Sequence, residues 1–156
     1  WRDWSSDVCS SDLRQLIDWG RRIKHGVMAS LPIEHPFELD LGFLYGTIFV
    51  GAAHNPAHHS RNVCIFADGE VDRSPTGTGV SARAALHFAR GEIGLHQPFV
   101  VESIIGSTFT GEVVATTEFG PHQAVIPQVT GTAHICGLNQ LLIDPEDPLG
   151  QGFLLR

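Results

Sequence analysis

Cysteine is scarce in this chain: three in 156 residues, with no Cys-x-x-Cys pair. Such sparse usage gives no disulfide framework, so a reducing cytoplasm is the expected compartment. Positive charge is short as well. Ten Lys and Arg against seventeen Asp and Glu give a net charge of −7. A mildly acidic domain has no electrostatic footprint for DNA, RNA or an anionic membrane. Long hydrophobic runs are also missing. The most apolar stretch, residues 41–53, is broken by glycines and too short to span a bilayer. There is no visible signal peptide, heptad repeat or low-complexity tract. What remains is a chain long enough for one domain with a real core.

The N-terminus does not read as part of that domain. Asp3-Trp4-Ser5-Ser6-Asp7-Val8-Cys9-Ser10-Ser11-Asp12-Leu13 has two Ser-Ser-Asp repeats and no amphipathic period. It resembles the translation of a sequencing-library adapter, so residues 1–13 are excluded from fold reasoning. They hold Arg2 against Asp3, Asp7 and Asp12, a net of −2, which leaves −5 for residues 14–156. Cys9 falls there too. Cys64 and Cys136 sit in apolar, strand-like runs and are expected to be buried and inert.

Residues 14–27 carry a loose apolar stripe (Leu16, Ile17, Ile23, Val27) with basic residues outside it, and predict a helix. Pro32 and Pro36 end it. Residues 43–50 predict a buried strand and residues 62–67 another, with Asp68-Gly69 as a turn. Residues 79–90 predict the clearest helix, closed by Gly91. It is small and apolar over most of its circumference, so it is expected to be surrounded by other structure. Strand candidates follow at residues 99–105, 108–117, 123–129 and 132–143. This order predicts an α+β fold, a curved mixed sheet wrapped on the helix.

Asp72-Arg73-Ser74-Pro75-Thr76-Gly77-Thr78-Gly79 leads into that helix. Its glycines bare backbone N–H groups at the positive end of a helix dipole, which suits an anion. Thr76 and Thr78 add hydroxyl donors, and Asp72 can hold a cation. One loop thus offers complementary groups for an amino acid zwitterion. A helix-capping loop without a ligand fits the same residues.

Several motifs, in order, are similar to the proline racemase family across residues 14–156. They are Phe43-Leu44-Tyr45-Gly46-Thr47-Ile48, Asn62-Val63-Cys64-Ile65-Phe66-Ala67-Asp68, the Asp72 to Gly79 motif followed by Ser81-Ala82-Arg83, and Asp144-Pro145-Glu146-Asp147-Pro148 with Gly152-Phe153-Leu154-Leu155. The resemblance identifies residues 14–156 as the C-terminal portion of such an enzyme. It implies a diaminopimelate epimerase-like fold of two pseudo-symmetric domains, each a curled mixed sheet around a central helix, with the substrate between the helix N-termini. It implies no cofactor and no metal, an amino acid substrate, and homodimers. By position, Asp72 resembles the residue that binds the substrate amine, Gly77 and Thr78 the carboxylate cradle, and Phe66 a wall of the pocket. Thr76 stands where racemases and 4-hydroxyproline epimerases keep their second catalytic cysteine.

That departure bears on the reaction. Racemisation needs a base on one face of the α-carbon and an acid on the other. A thiol ionises near ~8.5, an aliphatic hydroxyl far above that, close to water itself. The gap of roughly seven units is about 10 kcal/mol, beyond the ~1–2 kcal/mol of a helix dipole. Family members with threonine here are trans-3-hydroxy-L-proline dehydratases, whose reaction needs one strong base, the cysteine of the other domain. The expected activity is therefore dehydration to pyrroline-2-carboxylate by the full-length enzyme, with this chain inactive alone. The alternatives are proline racemase or 4-hydroxyproline 2-epimerase activity, and a non-catalytic amino-acid-binding member of the fold.

Four other groupings are expected to be structural. His54, His58 and His59 lack a further ligand for zinc and read as a surface loop. Arg83, His87 and Arg90 share a helix face that reads as a solvated edge or a domain contact. Asp144 to Asp147 reads as a terminal turn rather than a calcium site. Asp68 and Glu70 belong to a turn rather than to a catalytic carboxylate pair.

Overall fold

The computed structural model describes residues 10–153. Most of the adapter-like segment lies outside the described residues, but Ser10 onward is helical. Helix α1 runs Ser10–Ser30 and is followed by a single 3-10 turn at Leu39–Leu41. Strands β1 (Gly46–Gly51), β2 (Ser60–Phe66) and β3 (Glu70–Val71) precede helix α2 (Gly77–Ala89). Strands β4 (Phe99–Glu102), β5 (Thr108–Phe119) and β6 (His122–Thr130) complete a six-stranded mixed sheet. Its order is β1-β2-β4-β5-β6, with β3 on the free part of the β2 edge. All pairings are antiparallel except β2 with β4.

The alternation of side chains along β2 sends two helices to opposite faces. Val63 and Ile65 face α1 and pack on Leu16. Gly20 of α1 lies so close to the Ile65 side chain that a Cβ there would stand 2.6 Å from Ile65 Cβ. Thr47 Oγ1 donates to the Gly20 carbonyl at 3.0 Å on the same side. On the other face, Val80 and Ala84 of α2 pack on Phe99, Val101 and Val113, all buried. Each fully buried valine in this layer contributes roughly 1.5–3 kcal/mol.

The α+β class and the mixed sheet are as the sequence implies, but three expectations are corrected. The sheet stays open instead of wrapping α2. One face of the helix is buried, while Ala82, Leu86 and Ala89 are exposed. Residues 132–143 form no strand, because no described segment pairs with them, and apolar content without a ladder does not make a strand. Ile135 and Leu138 there are almost wholly exposed. Cys136, in the same segment, is exposed rather than buried.

The set-aside groupings divide. Arg83 and His87 are buried rather than solvated, and only Arg90 is exposed. Arg83 Nη2 donates to Ser60 Oγ at 2.6 Å, and His87 Nδ1 pairs with Glu92. Ser60 opens β2, so the Arg83 contact clamps α2 onto the sheet, while Glu92 lies in the turn that follows the helix. The histidine loop is held from below: Glu102 accepts the His54 and Asn55 amides and meets His58 Nδ1 at 2.7 Å. No group of metal-ligating side chains occurs among the described residues. Asp144 caps a turn by accepting the Glu146 amide at 3.0 Å. Glu70 accepts the Asp68 amide at 2.7 Å within its own turn.

Candidate active site

Strand β2 shares one edge between two partners. Its first residues, Ser60 and Arg61, pair with β4, and its last, Ile65 and Phe66, pair with β3. From β3 the chain turns back beside β2, and the Asp72 amide donates to the Cys64 carbonyl at 3.0 Å. Asn62 Nδ2 donates to the Pro75 carbonyl at 3.0 Å, a buried bond that fastens the loop to the strand. The loop then enters α2 beside the middle of β2.

Asp72 organises the loop. Its Oδ1 accepts the Ser74 amide at 2.8 Å and its Oδ2 accepts the Thr76 hydroxyl at 2.8 Å. Ser74 Oγ accepts the Thr76 amide at 3.0 Å. Thr76 is the N-cap of α2, yet its side chain makes no capping bond. A hydroxyl at this position normally satisfies an amide of the first turn; this one is turned to Asp72. The first-turn amides of α2, which have no intrahelical acceptor, therefore stay uncapped by it. Gly77 leaves open space where a Cβ would be. Gly79 does the opposite: a Cβ there would stand 2.4 Å from Ile48 Cδ1, so the helix start nestles against β1.

Thr76 is held at φ 66°, ψ 101°. A β-branched residue at positive φ is strained, by roughly 1–3 kcal/mol, and such strain concentrates at functional sites.

These residues line a cleft of about 510 Å³ together with Leu44, Tyr45, Gly46, Ile48, Cys64 and Phe66. Every residue singled out from the motif, namely Phe66, Asp72, Thr76, Gly77 and Thr78, borders this one cleft. The Phe66 ring is stacked at a tilt against Tyr45, with centroids 5.5 Å apart. The wall is thus aromatic and the end polar. Such an arrangement can take a small zwitterion: N–H donors of α2 for a carboxylate, Asp72 for an ammonium, and the rings for an apolar body.

Tyr45 and Cys64 are among the cleft residues to which the sequence assigned no site role. Tyr45 is half exposed beside Phe66. Cys64, 5 % exposed, lies two residues before Phe66 on the same face of β2. Strand alternation was the available signal: once Phe66 is a wall, Cys64 must share its side. Burial pushes the Cys64 thiol up from its ordinary value, a hydrogen-bonding contact with Thr76 opposes this, and the Asp72 charge adds to the rise.

The proline racemase family model matches residues 2–154. A trans-3-hydroxy-L-proline dehydratase of Colwellia psychrerythraea is 51% identical over 91% of this chain and 40% of its own length. A 3-hydroxyproline 2-epimerase of Burkholderia multivorans is 43% identical over 96% of this chain and 44% of its own. Among solved structures, a hydroxyproline epimerase from Agrobacterium vitis with bound trans-4-hydroxy-L-proline superposes with a TM-score of 0.81 at 33% identity, over 96% of this chain and 43% of that one. The chain spans less than half the length of these relatives.

Proposed function

This chain belongs to the proline racemase family, and from that premise we propose that the whole protein dehydrates trans-3-hydroxy-L-proline to pyrroline-2-carboxylate. In this reading residues 14–156 supply the C-terminal portion and half of the active site. The carrying observation is the state of Thr76: its hydroxyl is already donated to Asp72, a carboxylate too weak a base to ionise an aliphatic hydroxyl.

In this reading the first-turn amides of α2 at Gly77 and Thr78 hold the substrate carboxylate. Asp72 takes the ring ammonium, and Phe66 closes the apolar side. A base outside the described cleft removes the α-proton. The electron pair forms the C2–C3 double bond, and the 3-hydroxyl leaves as water with a proton from a neighbouring donor. Thr76, close enough to Asp72 to share its ligand, orients that hydroxyl. The enamine then tautomerises to the cyclic imine. One base suffices, and no cofactor is needed. The protein is further proposed to be cytoplasmic and homodimeric. No described helix is long and apolar enough to cross a membrane.

Epimerisation at the α-carbon is the second reading, because a second thiol, Cys64, lines the cleft. Its burial and raised pKa make it a poor base at neutral pH, which favours elimination. The test is incubation of the full-length gene product with trans-3-hydroxy-L-proline, trans-4-hydroxy-L-proline and L-proline in deuterated water. Formation of pyrroline-2-carboxylate supports dehydration. Inversion with deuterium at the α-carbon and no imine replaces it with epimerisation. Binding without either product assigns a non-catalytic role. The 156-residue chain alone is expected to give no turnover.

A further inference from the structure

Asn62 stands on β2 behind the cleft, 3 % exposed and outside its lining. Its Nδ2 reaches 13 residues along the chain to the Pro75 carbonyl, a buried bond of 3.0 Å. Its Oδ1 meets no protein partner among the described residues, so the hold on Pro75 is what ties this side chain to the fold. We propose that Asn62 is a positioning residue: its bond to the Pro75 carbonyl holds the Pro75–Thr76 peptide in the orientation that drives Thr76 to positive φ and turns its hydroxyl to Asp72. This rests on the dehydratase reading for its kinetic consequence, though not for its geometry.

The peptide between Pro75 and Thr76 is a rigid plane. Its carbonyl accepts from Asn62, and its N–H is donated to Ser74 Oγ at 3.0 Å. The plane is therefore gripped at both edges. Pro75 cannot turn to ease it, because its ring fixes φ and its side chain is fully buried. Beyond Thr76 the helix is fixed as well. The Thr76 carbonyl accepts the Val80 amide at 2.8 Å, and Gly79 leaves no room against Ile48. The two torsions of Thr76 must join plane and helix, and they do so at φ 66°, ψ 101°. An N-cap residue ordinarily sits in the extended region with its side-chain oxygen over the first-turn amides. At positive φ the side chain swings off the helix, and Thr76 Oγ1 donates to Asp72 Oδ2 instead. Asn62 thus acts through the backbone of the loop rather than on the substrate.

The first test is structural and needs no turnover. Asn62→Leu keeps the outline of the side chain and removes the donor. A crystal structure of the full-length variant is expected to show Thr76 at negative φ, its Oγ1 accepting the Thr78 or Gly79 amide and its bond to Asp72 lost. Thr76 unmoved at positive φ and still bonded to Asp72 overturns the proposal, whatever reaction the enzyme performs. Thermal melts give a second reading, which Asn62→Ala supplies if the leucine variant does not fold. Releasing the Pro75 carbonyl lets Thr76 relax, so part of the loss in Tm is recovered. In the Thr76→Gly background no strain is left to relax, and the same change at Asn62 should lower Tm by ~2–4 °C more than it does in wild type. Equal losses in the two backgrounds refute the proposal.

The last test is kinetic. Once turnover of trans-3-hydroxy-L-proline by the wild type is established, Asn62→Leu should lower kcat by roughly 2- to 10-fold, the range expected for one modest hydrogen bond, while KM holds. No loss, or a loss confined to KM, means that Asn62 does not act through the Thr76 hydroxyl and refutes the proposal. An inactive wild type would sink the dehydratase reading instead and leave the crystal structure and the melts to decide this one.

Discussion

Thr76 donates its hydroxyl proton to Asp72 Oδ2 at 2.8 Å, and by doing so it fails to cap the helix it begins. The two residues give up local stability and gain a polar cradle. The carboxylate is pre-aimed, the hydroxyl is held beside it, and the amides of α2 remain unclaimed by that side chain.

If Thr76 is strained at φ 66°, glycine should relieve it. Thr76→Gly is expected to stabilise the fold by about 1 kcal/mol net of glycine's greater chain entropy, a rise in Tm of ~2–4 °C. Turnover should fall sharply in the same variant, since the hydroxyl is gone. Thermal melts beside initial rates check both; a lower Tm would mean that the surrounding loop imposes no strain.

Asp72→Asn keeps an oxygen for the Ser74 amide but removes the charge proposed to hold the substrate ammonium. A hydrogen bond to a charged group contributes about 1.5–3 kcal/mol, so affinity for trans-3-hydroxy-L-proline should weaken by roughly 10- to 100-fold. Calorimetric titration of the full-length variant measures it, with circular dichroism to verify the fold. Unchanged affinity would remove Asp72 from the binding site.

Burial works against ionisation of Glu102, but the Asn55 and His54 amides and His58 outweigh it and hold its carboxyl below the ordinary 4.5. The folded pKa is therefore depressed. The stabilisation is complete above the unfolded value and is lost as pH falls through the folded one. The loop carrying His54, Asn55 and His58 should detach in that acid window, seen by NMR as loss of the His54 and Asn55 amide positions. Glu102→Gln should abolish the pH dependence. Glu102→Ala should cost about 1–3 kcal/mol for each amide left unpaired.

The site was legible where its residues are adjacent. Asp72, Thr76, Gly77 and Thr78 are within one loop, and a helix start declares itself through local backbone rules. Phe66 came from the resemblance alone. Cys64 was hidden because an apolar run with a single cysteine looks like any core strand. It shares the cleft with Thr76 only because the chain turns back through β3 and lays the loop along β2. The burial of Arg83 and His87 was misread for a related reason. Ser60 beside Arg83, and His59 and Phe99 beside His87, come from other segments, and a charged residue on a helix face looks solvated until something is packed against it.

By itself the sequence determined the α+β class, most of the helices and strands, and the donor and acceptor groups of the Asp72 to Gly79 loop, because propensity, helix termini and charge are local properties. Only the tertiary structure decided that the sheet stays open, that residues 132–143 find no strand to pair with, and that Cys64 stands with Thr76 and Asp72. Those outcomes depend on which edges and faces meet, and meeting is a matter of long-range packing that no local pattern encodes.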